Sequence, residues 1–175
     1  MIQNRGEQKK YVGQPVERVE DAALLNGSAV FSDDMALRLG TLHGAILRSP
    51  HAHAEIVKID TTEAEAQPGV AAVLTGHQIA QYTDPFLIVV KEPLDQWCLA
   101  VDRVRFVGEA VAMVIAHDRY LAEDALEKIE VTYQILDMVV DPVAAARDDA
   151  PLVHPAAGTN LVSVREYSYG DPSKA

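Results

Sequence analysis

Residues Arg48 to Asp60, RSPHAHAEIVKID, set two histidines two positions apart behind a proline and an arginine. On a strand His51 and His53 would point the same way, and His43 could approach from a neighbouring strand, giving three imidazoles able to bind zinc or another divalent ion. Against that stands the absence of any H-x-x-x-H or H-E-x-x-H spacing. The plainer alternative is a pair of hydrogen-bonded histidines at a strand entrance. Ser49 beside His51 suggests a nucleophile and its base, but the G-x-S-x-G elbow that forces a serine into an exposed turn is missing. Cys98 follows Trp97 and precedes an apolar strand start; with no basic neighbour to favour a thiolate, it reads as a small buried hydrophobe. In FVGEAVA, Glu109 beside Gly108 could act as a general base if it faced an apolar pocket, and is otherwise a solvent-facing or interface glutamate next to a turn glycine. No phosphate-cradling glycine loop accompanies it. No catalytic residue and no metal ligand is assigned, because no constellation here would carry a reaction unaided.

The elements that position these residues form two similar units, each a strand, a helix opened near an aspartate, and a second strand. In the first, Ala54 to Ile59 is a strand, Asp60 and Glu63 make a capping-box-like start for TTEAEAQ, and Pro68-Gly69 ends that helix before the buried run VAAVL. Thr75 and Gln78 repeat the capping pattern for a further short helix. In the second, AVAMVIA is an apolar run of strand length and Asp118 caps RYLAEDALEKI. Leu121, Ala122, Ala125, Leu126 and Ile129 share one face of that helix, with Asp124 and Lys128 paired on the other. The strand EVTYQIL follows, with Val131, Tyr133 and Ile135 on one side. GTLHGAIL precedes both units as a strand, and Thr83 to Trp97 joins them as a long loop with room for one short strand. The fold class is α+β, a mixed sheet with two strand-helix-strand units and flanking helices. Residues 1–11 are a mobile leading segment, 12–164 the domain, and 165–175 the start of a linker.

Composition narrows the partners. The chain has 15 basic and 26 acidic side chains, a net charge of −11, which repels phosphate backbones and anionic lipid. Nucleic acid and membrane are therefore not expected as partners. The polar start MIQNRGEQKK and the lack of a spanning apolar run point to the cytoplasm. A single cysteine allows no internal disulfide, thiolate zinc cage or iron–sulfur cluster in this chain alone.

Five blocks in fixed order carry a resemblance: GQPVERVEDAALLNGSAVFSDD, LHGAILRSPHAHAEIVKID, PGVAAVLTG, LAVDRVRFVGEAVAMVIA and YLAEDALEKIEVTYQIL. Together, from about Gly13 to Asp171, they resemble the amino-terminal a/b hammerhead domain of the molybdopterin-binding large subunit of the xanthine dehydrogenase and aldehyde oxidase family, including carbon monoxide dehydrogenase-type proteins. The resemblance implies part of a molybdenum hydroxylase, an oxidoreductase that inserts water-derived oxygen into a C–H bond and passes electrons through iron–sulfur clusters to FAD. The molybdenum cofactor would sit on downstream domains and the other centres on partner domains or subunits, with no cofactor in this chain, which alone would be inactive.

By the same resemblance, the loop before LAVDRVRFVGE contributes to a substrate channel, making Pro93, Leu94 and Trp97 candidates for its wall. Apolar residues at such an entrance supply binding area for a small-molecule substrate. Arg48, His51, His53, Gly108 and Glu109 become candidates for contact with neighbouring domains. Two alternatives stay open: an autonomous binding or scaffold module on the same fold, and a small metalloprotein built on His43, His51 and His53.

Overall fold

The computed structural model describes residues 11–35, 37–86, 94 and 96–170. Two compact units divide the chain, Met1–Leu39 and Gly40–Ala175. In the first, Asp21–Leu25 form a short helix, α1, whose opening is held by Arg18 Nε donating to Asp21 Oδ1 at 3.0 Å. After the helix, Asn26 Oδ1 accepts from the Ser28 N–H at 2.9 Å and turns the chain. A 3₁₀ turn at Ser32–Asp34 follows, closed by Asp34 Oδ2 accepting from the Phe31 N–H.

The second unit runs β1 (His43–Arg48), β2 (Ala54–Asp60), α2 (Thr62–Glu65), β3 (Val70–Thr75), α3 (Gly76–Ile79), β4 (Arg103–Val104), β5 (Ala110–Ala116), α4 (Arg119–Leu126), β6 (Glu130–Ile135) and α5 (Pro142–Ala145). Both expected strand-helix-strand units are present, and the α+β class stands. The single mixed sheet does not. The strands build two three-stranded sheets, ordered β1-β5-β3 and β4-β2-β6, with every pair antiparallel. The physical reason is that each unit sends its two strands to different sheets: β2 and β3 part company, as do β5 and β6. The helix between them therefore lies on the connection from one sheet to the other.

Local signals explain where the elements begin. Asp118 Oδ1 accepts from the Leu121 N–H at 2.9 Å, the expected cap of α4. At α3, Gln78 Oε1 accepts from the Thr75 N–H at 2.8 Å. The start of α2 differs from the expected box: Asp60 Oδ1 takes the Thr62 N–H at 3.1 Å, while Thr61 Oγ1 donates to Glu65. Asp60 Oδ2 also accepts from Lys58 Nζ at 2.8 Å, a bond that holds the Asp60 carboxyl well below the usual carboxylate range. The ion pair along α4 is Arg119–Glu123 at 3.3 Å, in place of Asp124–Lys128.

Strand β5 is the middle of its sheet, and Val111, Ala112, Val114 and Ala116 are fully buried there. That matches its continuous apolar sequence. Ala122 and Ala125 of α4 pack on this sheet with Ala64, Val73 and Ile129, the small side chains letting the helix lie close to the strands. A second cluster sets Ala54 and Val104 of the other sheet against Ala100 and against Val111 of β5. Ile59 and Val131 pack against both clusters and join them. Among the described residues, no helix is long and apolar enough to cross a membrane.

Gly76 marks the tightest approach. A Cβ built there would lie 2.0 Å from the Ala100 carbonyl oxygen and 2.6 Å from its carbon. Backbone cannot swing aside as a side chain can, so Gly76→Ala is expected to cost about 1–3 kcal/mol or more. Asp118→Ala, which removes only a cap, is expected to cost about 1 kcal/mol. Urea unfolding of the two variants checks the order; equal midpoints would show that the Gly76 contact is easily relieved.

Candidate functional site

Two of the places where the chain passes between the sheets are neighbours, Ser49–His53 from β1 to β2 and Arg105–Glu109 from β4 to β5. These crossings are bonded to each other. The Ser49 N–H donates to the Glu109 carbonyl at 2.9 Å, the Gly108 N–H donates to the Ser49 carbonyl at 2.8 Å, and Arg48 Nη1 donates to the Gly108 carbonyl at 2.8 Å. Gly108 has φ +89°, a left-handed turn conformation that a side chain would strain. Inside that turn the Arg105 N–H donates to Glu109 Oε2.

Pro50 and the serine shape the rest of the corner. Ser49 Oγ accepts from the His51 N–H at 3.0 Å, fixing a local turn rather than serving as a nucleophile beside a base. The His51 ring packs edge-on against Tyr133, with centroids 4.9 Å apart. Tyr133 itself is half-buried, and that burial pushes its hydroxyl pKa up, partly opposed by a hydrogen bond with Ser49. His53 Nδ1 lies 2.7 Å from the Asp137 carbonyl oxygen, and the Leu136 N–H donates to the His53 carbonyl at 3.0 Å. The β2–β6 ladder is thus prolonged past its last strand pair. His43 sits apart, on β1 opposite Ala116. Among the described residues, no three His, Cys, Asp or Glu side chains are grouped to hold a metal ion.

Beside the corner lies an open cleft of about 730 Å³ lined by Pro50, His51, His53, Val107, Ile135 and Met138, among others. A smaller lobe of about 280 Å³ adjoins it, walled by Phe106, Val107, Met138, Val139, Val140 and Val153. Ala52, His53, Val107 and Met138 line both. The outer wall is pinned by Asn160, whose Nδ2 donates to the Ala145 and Pro151 carbonyls and whose Oδ1 accepts from the Val153 N–H.

The corner brings Arg48, His51, His53, Gly108 and Glu109 together. Glu109 is not solvent-facing: only 7% of it is exposed, because the turn folds its carboxylate back onto the Arg105 N–H. Burial raises its pKa, with the Arg105 hydrogen bond and charge opposing. Cys98 corrects the other way, being exposed, since the buried run starts one residue later at Leu99. Ile135 is 69% exposed despite sharing a strand face with Val131 and Tyr133, because β6 ends there and the side chain reaches the cleft. Of the channel candidates, Pro93 lies outside the described residues, and Leu94 and Trp97 are half-buried. The Phe86 N–H donates to the Gln96 carbonyl at 2.8 Å and closes the base of their loop. Sequence reasoning missed Tyr133, Met138 and Asn160 as parts of the corner and its cleft. The run MVV at 138–140, apolar yet beyond the last strand, is the one sequence signal that marked a second apolar wall.

The family sequence pattern described as "Aldehyde oxidase and xanthine dehydrogenase, a/b hammerhead domain" matches residues 26–137. The chain belongs to that family. Among curated hammerhead relatives, it is 37% identical to the 6-hydroxypseudooxynicotine dehydrogenase complex subunit gamma of Paenarthrobacter nicotinovorans, over 98% of this chain and 22% of that one. It is 41% identical to the carbon monoxide dehydrogenase large chain of Afipia carboxidovorans, over 85% of this chain and 18% of that one. Among solved structures, quinoline 2-oxidoreductase from Pseudomonas putida 86 superposes with a TM-score of 0.69 at 41% identity, covering 82% of this chain and 19% of the other. The chain therefore spans about a fifth of the length of these relatives. It is a domain of the kind found in molybdenum hydroxylase-family oxidoreductase subunits.

Glu109 generates a pH prediction. The folded chain holds this proton more tightly than the unfolded chain, whose carboxyl titrates near 4.5. The associated stability is fully present below that value and is lost as pH rises through the raised folded pKa. Relative to Glu109→Gln, which keeps an oxygen for the Arg105 N–H, the unaltered chain is expected to lose stability across that window and then level off. Unfolding curves of both chains as a function of pH test this; a constant difference from acid to neutral pH would contradict it.

Proposed function

We propose that this chain is the amino-terminal part of the molybdopterin-binding large subunit of a molybdenum hydroxylase, with a structural and substrate-channel role rather than a catalytic one. The observation that carries the reading is the hammerhead match in a chain covering about a fifth of each relative. Residues 12–164 form the domain, with 1–11 ahead of it and the start of a linker at 165–175. The remaining domains bear the molybdenum cofactor, and iron–sulfur and FAD centres lie on partner domains or subunits.

In this reading Arg48, His51, His53, Gly108 and Glu109 form the seat for neighbouring domains. His53 and Glu109, being buried, act by fixing the corner's shape. Pro93, Leu94 and Trp97 wall the entrance through which a small molecule reaches the cofactor. Apolar side chains there bind substrate and transition state alike, lowering KM without touching the chemical step.

The test is to express the native gene at its natural length and assay molybdenum, iron and flavin in the purified product and in the 175-residue chain. All three are expected in the native assembly and none in the short chain. A native product that ended at Ala175 and copurified with neither cofactor nor partner would overturn the reading in favour of an autonomous binding module. Within the active assembly, Trp97→Ala and Leu94→Ala are expected to raise KM with kcat little changed. A loss confined to kcat would remove these residues from the channel wall.

A further inference from the structure

The hammerhead unit falls into two halves, residues 40–82 carrying β1, β2, α2, β3 and α3, and residues 97–136 carrying β4, β5, α4 and β6. Among the described residues every strand ladder joins one half to the other: β1 and β3 lie on either side of β5, and β4 and β6 on either side of β2. Within these residues no two strands of the same half are paired. A half by itself would therefore hold three strands whose N–H and C=O groups have no ladder partner.

The halves are also alike. Renaming β1, β2 and β3 as β4, β5 and β6, and the reverse, turns the order β1-β5-β3 into β4-β2-β6, which is the other sheet. The registers follow the same rule at their ends. Arg48, last in β1, pairs with Ala110, first in β5, and Val104, last in β4, pairs with Ala54, first in β2. Asp60, last in β2, pairs with Glu130, first in β6, and Ala116, last in β5, pairs with Val70, first in β3. Ser49–His53 and Arg105–Glu109 are the corresponding crossings, and they bond to each other. The helices correspond too, although α2 has four residues and α4 eight, and Ala64 of the one packs in a cluster with Ala122 and Ala125 of the other. This is the arrangement of an isologous dimer, in which each partner completes the other.

We infer that the two halves form a dimer interface folded into one chain, and that the partner this interface fits is a second copy of the chain, which exchanges halves to give a swapped dimer. In that dimer residues 40–82 of one copy pair with residues 97–136 of the other, and every ladder is remade. The difference from the monomer lies in the connection, residues 83–96. The backbone bond from the Phe86 N–H to the Gln96 carbonyl is what exchange gives up. In the monomer the connection keeps the chain's own second half at a high effective concentration, so the balance is set by chain concentration during folding.

The test uses the 175-residue chain. Unaltered chains refolded from guanidinium at high concentration are expected to give a dimer on size exclusion that survives dilution and returns to monomer only on unfolding, while dilute refolding gives monomer. Monomer at every concentration overturns the inference. Cysteine pairs then show how the dimer is built, on a Cys98→Ser background. Ile46 and Met113 are partners in the β1–β5 ladder, and the Cα spacing of such partners is within a disulfide's reach. Chains with Ile46→Cys and chains with Met113→Cys, refolded together at high concentration and oxidised, should give several-fold more covalent dimer than Ile46→Cys chains mixed with Val57→Cys chains, although Val57 is 61% exposed. Mass spectrometry of the linked peptides reads the bond. Equal yields would mean contact between outer surfaces and overturn the exchange. A single chain carrying both Ile46→Cys and Met113→Cys should close the same bond within the dilute monomer; failure to close would break the register on which the inference stands.

Discussion

Ser49 spends both of its backbone polar groups on the turn that ends in Glu109, and the two crossings are held together through that exchange. A chain leaving one sheet for another abandons ladder partners, and its N–H and C=O groups must find others or be buried unpaired. Here two departing chains solve the problem for each other. Arg48 adds a charged donor to the Gly108 carbonyl, and Gly108 supplies the left-handed turn that brings the second crossing back. The corner histidines follow from this: His51 and His53 are placed by a backbone already fixed on both sides.

The cores depend on the same constraint. With strands divided between sheets, α4 cannot cover both, and it lies on the β5 sheet through Ala122 and Ala125. The other sheet closes over Ala54, Ala100 and Val104, and Ile59 and Val131 reach into both clusters. Among the described residues few large side chains are fully buried; the largest are Val104, Val111 and Val114. A core of alanine and valine tolerates close backbone approach, which is why the Ala100 carbonyl can sit against Gly76. It also leaves large apolar side chains such as Phe106, Met138 and Val140 at the surface of the cleft.

What could be read in the sequence is what neighbours decide. Asp118, Thr75 and Gln78 act within a turn of the residues they cap, and AVAMVIA shows its double-sided burial in its own composition. The family blocks carried the fold as a whole. Pairings across long stretches of chain left no such mark. The division into two sheets and the bond from Arg48 to Gly108, sixty residues on, arise from register between distant segments. His53 illustrates the limit: its spacing from His51 suggested metal, while its actual partner, the Asp137 carbonyl, lies 84 residues away.

The order of strands along the chain has a consequence for how the molecule is made. In the first sheet the middle strand is β5, synthesised after both of the edges it joins. The runs HGAILR and VAAVLT emerge with no partner in their own sheet until AVAMVIA follows. In the second sheet β2 is in place early but waits for β4 and β6. Such non-local pairing folds slowly because loop closure comes before any reward. During synthesis the nascent chain therefore carries unpaired apolar strands, the species most open to wrong association or chaperone capture. The translated length at which that exposure ends is set by β6, where the last strand finds its place beside β2.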